Sequence, residues 1–169
     1  MKQKIMGLVC LVSMNSMAEQ YCLNSGIETT PSTDFVELSD DDILHSPTNL
    51  VWKRCAEGQT WDGTNCTGEA QKYTWQQALQ LALSANETVQ AGWRLPNVKE
   101  LAAVTERLCV RPAINSSVFP DTPPDDFWSS TPSLTDTQRA WVVAFFNSSH
   151  SIKQKDRFIY VRLVRTNDT

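Results

Sequence analysis

The sequence is poor in glycine, histidine and long apolar runs, and each shortage excludes a class of protein. Its 169 residues include only 6 Gly, and these follow no Gly-X-Y period, which excludes a collagen-like segment. No apolar run approaches the roughly 20 residues that cross a bilayer, so an integral helical membrane protein is excluded. The two histidines, His45 and His150, lie outside any HExxH pattern, and Ser129 and Ser130 lack a Gly-x-Ser-x-Gly elbow.

The remaining composition is that of one globular domain. Hydrophobic residues make up 41% and charged residues 20% of the chain, which is close to the average for folded proteins and excludes wholesale disorder. A chain of this length forms one domain rather than two, with room for one core. The 6 Trp and 8 Pro are the most distinctive counts.

The first 18 residues have the pattern of a secretory signal peptide. Lys2 and Lys4 form a basic start, Ile5–Met14 is a short apolar stretch, and small residues precede a cleavage point after Ala18. A buried N-terminal strand would not need the basic start. Removal of the segment takes away two Lys and no acid, so the net charge changes from −4 to −6. We therefore expect export to the periplasm, the cell surface or the medium.

Removal of the signal peptide also changes the cysteine count from five to four, because Cys10 leaves. Cys22, Cys55, Cys66 and Cys109 should pair in an exported chain, and three connectivities are open. The segment between Cys55 and Cys66 is rich in turn residues and can bring its ends together. That favours Cys55–Cys66, which leaves Cys22 with Cys109. A zinc site is disfavoured because no Cys-x-x-Cys pair is present.

Two segments have helical periodicity and begin with a capping box. Thr74 with Gln77 begins a helix predicted over Thr74–Ala85, and Asn97 with Glu100 begins one predicted over Asn97–Leu108. In each helix, apolar residues recur on one face, which predicts a buried stripe.

Three segments are predicted strands. Leu50–Lys53 is short, Ala140–Phe146 is apolar on both faces and should be central, and Phe158–Arg165 is a last strand. In the last strand, Ile159 is expected on one face and Arg162 on the other.

The segments between these elements are predicted to be irregular. Residues 19–46 show no sustained period, so we expect an N-terminal arm held by Cys22, followed by a domain over residues 47–166. Residues 109–139 contain many Pro, Ser, Thr and Asp residues, which predicts a long irregular loop that is either functional or a well-packed connection. Helices before most strands indicate an α+β fold with an antiparallel sheet.

Candidate ligand-binding residues come from two places. Trp61 lies in the turn-rich segment between two cysteines, where an aromatic ring could stack on a sugar, although packing against the disulfide also explains it. Asp121, Asp125 and Asp126 lie in the Pro-rich loop and could bind calcium, although solvated turn formers are commoner in such a loop. The run Asp40–Asp42 is interpreted as a solvated acidic turn.

Nine segments, taken together and in order, resemble the Lcl C-terminal-domain family, a bacterial family named for the C-terminal domain of a collagen-like adhesin. They cover roughly residues 48–165. They are Leu50–Cys55, Gly58–Gly68, Thr74–Leu79, Gly92–Leu101, Pro112–Asn115, Val118–Pro123, Phe127–Thr131, Ala140–Phe145 and Val161–Arg165. The four mature cysteines also look like those of the family.

The resemblance implies a C-type-lectin-like fold, with two helices flanking a small, mainly antiparallel sheet, a long irregular loop region and two disulfides. It also implies a binding or adhesion role toward a glycan or a protein at the cell envelope or a host surface. The chain departs from the named adhesin because it has no collagen-like stalk, and its net negative charge opposes binding to a polyanionic glycan. The basic residues Arg139, Lys153, Lys155 and Arg157 are better explained as a solvated hairpin than as a polyanion site.

Two other functions remain as alternatives. The fold class also contains formylglycine-generating, sulfatase-modifying enzymes, and Arg94–Pro96 and Arg162–Arg165 look similar to segments there. Those enzymes need a reactive cysteine in a copper or redox site, whereas all four mature cysteines are expected in disulfides. We therefore expect a non-enzymatic module without a cofactor. A structural subunit of a surface assembly is the other alternative, and the acidic balance disfavours nucleic acid.

Overall fold

The computed structural model describes residues 19–89 and 92–167. The expected signal peptide over residues 1–18, with Cys10, lies outside the described residues and stays a prediction.

Within these ranges the chain forms thirteen strands and two α-helices, with a 3-10 turn at Ser32–Asp34. In chain order they are β1 (Tyr21–Cys22), β2 (Phe35–Glu37), β3 (Asp42–His45), β4 (Leu50–Lys53), β5 (Thr60–Trp61), β6 (Cys66–Thr67), β7 (Lys72–Tyr73), α1 (Trp75–Val89), α2 (Val98–Ala103), β8 (Cys109–Val110), β9 (Asp126–Pro132), β10 (Arg139–Ala144), β11 (Ser149–Gln154), β12 (Ile159–Tyr160) and β13 (Val164–Thr166). No described helix is long and apolar enough to cross a membrane.

A five-stranded sheet lies between the two helices. Its strand order is β11-β10-β9-β12-β7, and all neighbours are antiparallel except β9 and β12. Successive residues of β10 enter different cores: Val142 shares a cluster with Ala78 of α1, and Val143 shares another with Leu101 of α2. Because side chains alternate across a strand, β10 is buried on both faces. The prediction of a central strand here is confirmed.

A four-stranded antiparallel sheet has the order β13-β4-β3-β2. The prediction of a strand at Leu50–Lys53 is confirmed by β4. Strands β2 and β3 come from residues 19–46, where an irregular arm was expected, and that part of the expectation is wrong. The reason is that β3 pairs with β4 through Ile43, whose side chain is buried in the core, so packing favours strands where the sequence shows no period.

Both helices begin where the capping boxes predict. Thr74 and Gln77 exchange hydrogen bonds at α1, and Asn97 and Glu100 do the same at α2. Helix α1 runs to Val89, past the predicted end at Ala85.

Helix α2 ends at Ala103, well before the predicted end at Leu108. The chain leaves the helix because its backbone finds other partners. The Thr105 hydroxyl donates to the Ala102 carbonyl at 2.8 Å, and the Glu106 N–H donates to the Ala113 carbonyl at 3.1 Å.

The predicted last strand over Phe158–Arg165 is two strands in different sheets: β12 joins the five-stranded sheet and β13 the four-stranded sheet. The crossing between them is marked by Arg162, which has no exposed surface. The expected alternation of faces nevertheless holds, because Ile159, Val161 and Leu163 lie in one core cluster and Tyr160 and Val164 contact the other.

The segment over residues 109–139 is not wholly irregular, because it contains β9. The side chains of Phe127 and Trp128 in this strand are fully buried. The composition of β9 concealed a strand at the middle of the sheet, since Phe127 and Trp128 are its only apolar side chains among Asp, Ser, Thr and Pro.

Two disulfides, Cys22–Cys109 and Cys55–Cys66, hold the fold, and the predicted pairing is confirmed. The first joins two short paired strands, since Cys22 lies opposite Cys109 in the β1–β8 ribbon. The molecule is therefore an α+β protein, mostly antiparallel β-structure with two helices.

Candidate functional site: the Trp61 groove

The hairpin β5–β6 presents Trp61 on a tight turn. One oxygen of the Asp62 carboxylate accepts hydrogen bonds from the backbone N–H groups of Thr64 (2.9 Å) and Asn65 (2.8 Å). These bonds lower the pKa of Asp62, and Gly63 takes the positive φ of 101° that the turn requires. The disulfide from Cys66 fastens the base of the hairpin, so the position of Trp61 is fixed from both sides.

A buried cation orients the Trp61 ring. The Arg54 guanidinium lies 4.2 Å from the centre of the ring, and Arg54 is only 6% exposed. Glu37 of β2 forms an ion pair with the same guanidinium. A cation over an aromatic face is worth more when it is removed from water, so Arg54 favours one orientation of the half-buried ring.

The uncovered part of the Trp61 ring lines an open groove of about 480 Å³. The groove is formed by two segments that are distant in sequence, the β2–β3 turn and the start of the hairpin. We call it the Trp61 groove, and its lining residues are Asp40, Asp41, Gln59, Thr60, Trp61, Asp62 and Gly63. A recess of this size accommodates a small ligand.

Ion pairs hold the acidic turn that forms one wall of the groove. Lys53 lies 3.0 Å from both Asp41 and Asp42, and Arg165 lies 3.3 Å from Asp42. Burial acts to lower the pKa of Lys53, but the hydrogen bonds to Asp42 and Asp41 outweigh it and raise that pKa. The interpretation of Asp40–Asp42 as a solvated turn is therefore wrong for Asp42, whose side chain is 19% exposed, whereas Asp41 stays half exposed beside its ion pair.

The groove nevertheless keeps negative charge. Asp40 and Asp62 are exposed, and neither forms an ion pair with any residue that the structure describes. Their carboxylates accept hydrogen bonds from hydroxyl or ammonium groups and repel anions.

Gln59 holds the start of the hairpin in place. Its amide nitrogen donates to the carbonyls of Cys66 and Asp121, both at 3.3 Å. Its side-chain oxygen is buried and has no partner among the described residues. Gln59 therefore connects the start of the hairpin to the loop before β9, and its buried oxygen offers no surface to a ligand.

Asp121, a predicted ligand-binding residue, lies behind the hairpin rather than in the groove lining. Its carboxylate accepts a hydrogen bond of 2.9 Å from the Cys66 backbone N–H. This contact fastens β6 to the loop that precedes β9, so Asp121 positions the hairpin.

Asp125 and Asp126 lie elsewhere and have cationic partners. Asp125 pairs with Lys72 at 2.9 Å, and Asp126, at the start of β9, pairs with Lys153 at 3.1 Å. Burial acts to raise the pKa of Asp125, but the hydrogen bond from Lys72 outweighs it and lowers that pKa. Within residues 19–89 and 92–167, no group of three or more His, Cys, Asp or Glu side chains is arranged to hold a metal ion.

The basic residues of the β10–β11 hairpin are mostly engaged. Besides the Lys153 pair, Arg139 lies 3.1 Å from Asp136, and the Lys155 ammonium lies 4.1 Å from the centre of the Trp75 ring. The four cysteines of the described ranges are all in disulfides, so none of them offers the thiol that the sulfatase-modifying alternative needs.

Comparison with known proteins places the chain in a family. The family model described as the Lcl C-terminal domain matches residues 41–165. A search of curated proteins returned no match. The matched range includes β3 to β13, most of the Trp61 groove and three of the four disulfide cysteines. The chain belongs to the Lcl C-terminal domain family.

Proposed function

We propose that this chain is an exported, non-enzymatic binding module that recognises a glycan through the Trp61 groove. Membership of the Lcl C-terminal domain family favours a surface-associated role, and the two disulfides suit an oxidising compartment such as the periplasm or the cell surface. A C-type-lectin-like arrangement of the two helices and sheets is part of the same proposal.

The observation that carries the proposal is the combination of a held aromatic ring with convergent acceptors in one recess. Trp61 presents an apolar surface on which the C–H face of a sugar can stack. The exposed carboxylates of Asp40 and Asp62 supply acceptors for sugar hydroxyl groups at the same place. Apolar area with a few placed polar groups is the usual composition of a small-ligand site.

The charge of the groove selects the class of glycan. Exposed carboxylates on Asp40 and Asp62 repel sulfated or uronic-acid sugars, and the net charge of −4 acts in the same direction. The expected ligand is therefore a neutral or amino-containing oligosaccharide.

A glycan array probed with the oxidised protein tests the proposal, followed by calorimetry with the oligosaccharide that gives the strongest signal. Trp61→Ala should weaken that binding by about tenfold or more, because stacking of an aromatic ring contributes about 1.4 kcal/mol or more. The matched control is Phe158→Ala, which removes a ring that is 62% exposed outside the groove.

The two variants separate specific from general effects. Equal affinity for the wild type and Trp61→Ala, or an array on which only polyanionic glycans bind, would contradict the proposal. Equal losses in Trp61→Ala and Phe158→Ala would also contradict it, because they would indicate non-specific adhesion through exposed aromatic rings.

A further inference from the structure

A second recess, separate from the Trp61 groove, lies between helix α2 and the β10–β11 hairpin. Its volume is about 220 Å³, and it is lined by Val98, Lys99, Ala102, Trp141 and His150. None of these residues lines the Trp61 groove. We call it the Trp141 cleft.

The sheet register builds one wall of the cleft. Trp141 lies opposite Ile152, and Val143 lies opposite His150. Because side chains alternate along a strand, Trp141, Val143 and His150 share one face of the sheet. Diagonal neighbours on such a face are about 7–8 Å apart, within reach of an aromatic side chain.

Helix α2 supplies the opposite wall, and its position is fixed. The backbone N–H of Val98 donates to the Thr131 hydroxyl of β9 at 3.0 Å, and Leu101 is fully buried in the core that contains Val143. The aliphatic side chains of Val98 and Ala102 therefore remain beside the Trp141 ring, and the cleft has apolar walls without a rearrangement of the fold.

Two basic groups border these walls. Lys99 and His150 are both exposed, and across residues 19–89 and 92–167 neither side chain forms a hydrogen bond or an ion pair. The neighbouring Lys153 and Lys155 differ, because each is engaged with an acid or an aromatic ring. An apolar recess with such a rim suits an apolar molecule that carries an acid, because the Lys99 ammonium supplies a positive charge and the His150 ring can donate a hydrogen bond.

We propose that the Trp141 cleft binds a small carboxylic acid with an aromatic or branched aliphatic body. The apolar body lies between Ala102 and the Trp141 ring, and the carboxylate faces Lys99 and His150. The volume of about 220 Å³ is below the roughly 300–1,000 Å³ of ordinary ligand pockets, so the occupant is a small molecule.

Titration of 3-phenylpropionate into the isotopically labelled, oxidised protein tests this proposal by NMR, with 3-phenylpropionamide as the matched neutral probe. We expect saturable shifts of the Trp141 indole N–H and of the backbone N–H groups of Val98 to Ala102. The acid should bind about threefold or more tightly than the amide, since an exposed charge pair contributes up to about 1 kcal/mol. Added salt should reduce this preference.

Variants distinguish the role of the rim from that of the wall. Lys99→Gln combined with His150→Gln should bring the acid down to the affinity of the amide and leave the amide unchanged. Both positions are exposed, so this variant keeps its fold. Trp141→Ala should weaken both probes by about tenfold.

Lys155→Gln is the control, because it removes a lysine of the same hairpin that stacks on Trp75, and it should bind both probes as the wild type does. Equal affinity for acid and amide in the wild type would overturn the proposal. Saturable shifts confined to other parts of the protein, or an acid preference that survives loss of both Lys99 and His150, would do the same.

Discussion

Glu106 shows how a single residue fastens the N-terminal segment. It is only 4% exposed, and its carboxylate accepts hydrogen bonds from Thr29, Thr30 and the Leu108 N–H. The two threonines are 76 or 77 residues away in the sequence. A pattern of local spacing cannot show such a contact, and the sequence predicted this position only as part of a helix.

The shifted pKa of Glu106 makes its contribution to the stability of the fold depend on pH. Burial acts to raise that pKa, but the N–H groups of Leu108, Thr30 and Thr29 outweigh burial and lower it. Since the folded-state pKa lies below the unfolded value, the charged carboxylate stabilises the fold above the unfolded pKa. This stability is lost as the pH falls through the folded pKa.

Glu106→Gln should lower the free energy of unfolding by about 1–3 kcal/mol at neutral pH, because an amide cannot accept all of these bonds. The difference from the wild type should shrink as the pH falls through the folded pKa. Urea unfolding over a series of pH values measures both effects. The control is Glu69→Gln, at an exposed position, which should change the free energy of unfolding little. A difference between Glu106→Gln and the wild type that is the same at every pH would contradict the assignment of this stability to the charge of Glu106.

At the scale of elements, local chemistry was predictable and the change between sheets was not. Asn97 and Thr74 mark helix starts because a capping box is complete within four residues. The segment over Phe158–Arg165 reads as one strand because its alternation continues unbroken, and nothing in that alternation shows a change of sheet. Likewise the sequence did not predict β9, because this segment becomes a strand only by pairing with β10 and β12 later in the chain.

Arg162 stabilises the crossing between β12 and β13. Its guanidinium donates to the carbonyls of Lys53 and Arg54, at the end of β4, and to the Thr122 hydroxyl at 2.7 Å. Burial lowers the pKa of Arg162 to about 9, so the group is still charged at neutral pH. Hydrogen bonds from a charged donor are stronger than neutral ones, and here they connect the end of one sheet to the loop before the other.

Arg162→Met should destabilise the protein by about 3 kcal/mol, because it keeps much of the volume but leaves buried acceptors without a donor. Guanidinium unfolding measures the loss. Arg162→Lys should recover part of it, since an ammonium can reach some of the same oxygens. The control is Arg157→Met at an exposed position, and a loss no larger than that of the control would show that Arg162 is not the connection.

At the scale of the whole molecule, the candidate site was only partly predictable. Trp61 could be found because it lies in a turn-rich segment closed by two cysteines. The groove itself could not, because Asp40 and Gln59 meet only after β3 and the hairpin are folded. Asp121 was a candidate ligand-binding residue or a solvated turn former, and the structure adds a hydrogen bond to its carboxylate from the Cys66 backbone N–H, which no side-chain pattern in the sequence could show.

The two disulfides should differ in their effect on global stability. In the chain-entropy description, replacement of both Cys22 and Cys109 by Ala should cost about 4–5 kcal/mol, and replacement of both Cys55 and Cys66 about 3 kcal/mol. The difference follows from sequence separations of 87 and 11 residues. Guanidinium unfolding of the two double variants checks the order, and a larger loss for the Cys55 and Cys66 variant would contradict it.

The Cys22–Cys109 bond also determines how the molecule carries mechanical load. When the two ends of the chain are pulled apart, tension that enters on the N-terminal side of Cys22 passes from Cys22 directly to Cys109. The backbone between the two cysteines, with a sequence separation of 87, would add roughly 290–310 Å if it could extend, and the covalent bond prevents that extension. The Trp61 groove lies wholly inside this segment, so the backbone that forms it is not in the covalent path of the tension. Force from the C-terminal side reaches the groove through noncovalent contacts, among them the pairing of β13 with β4 and the ion pair between Arg165 and Asp42.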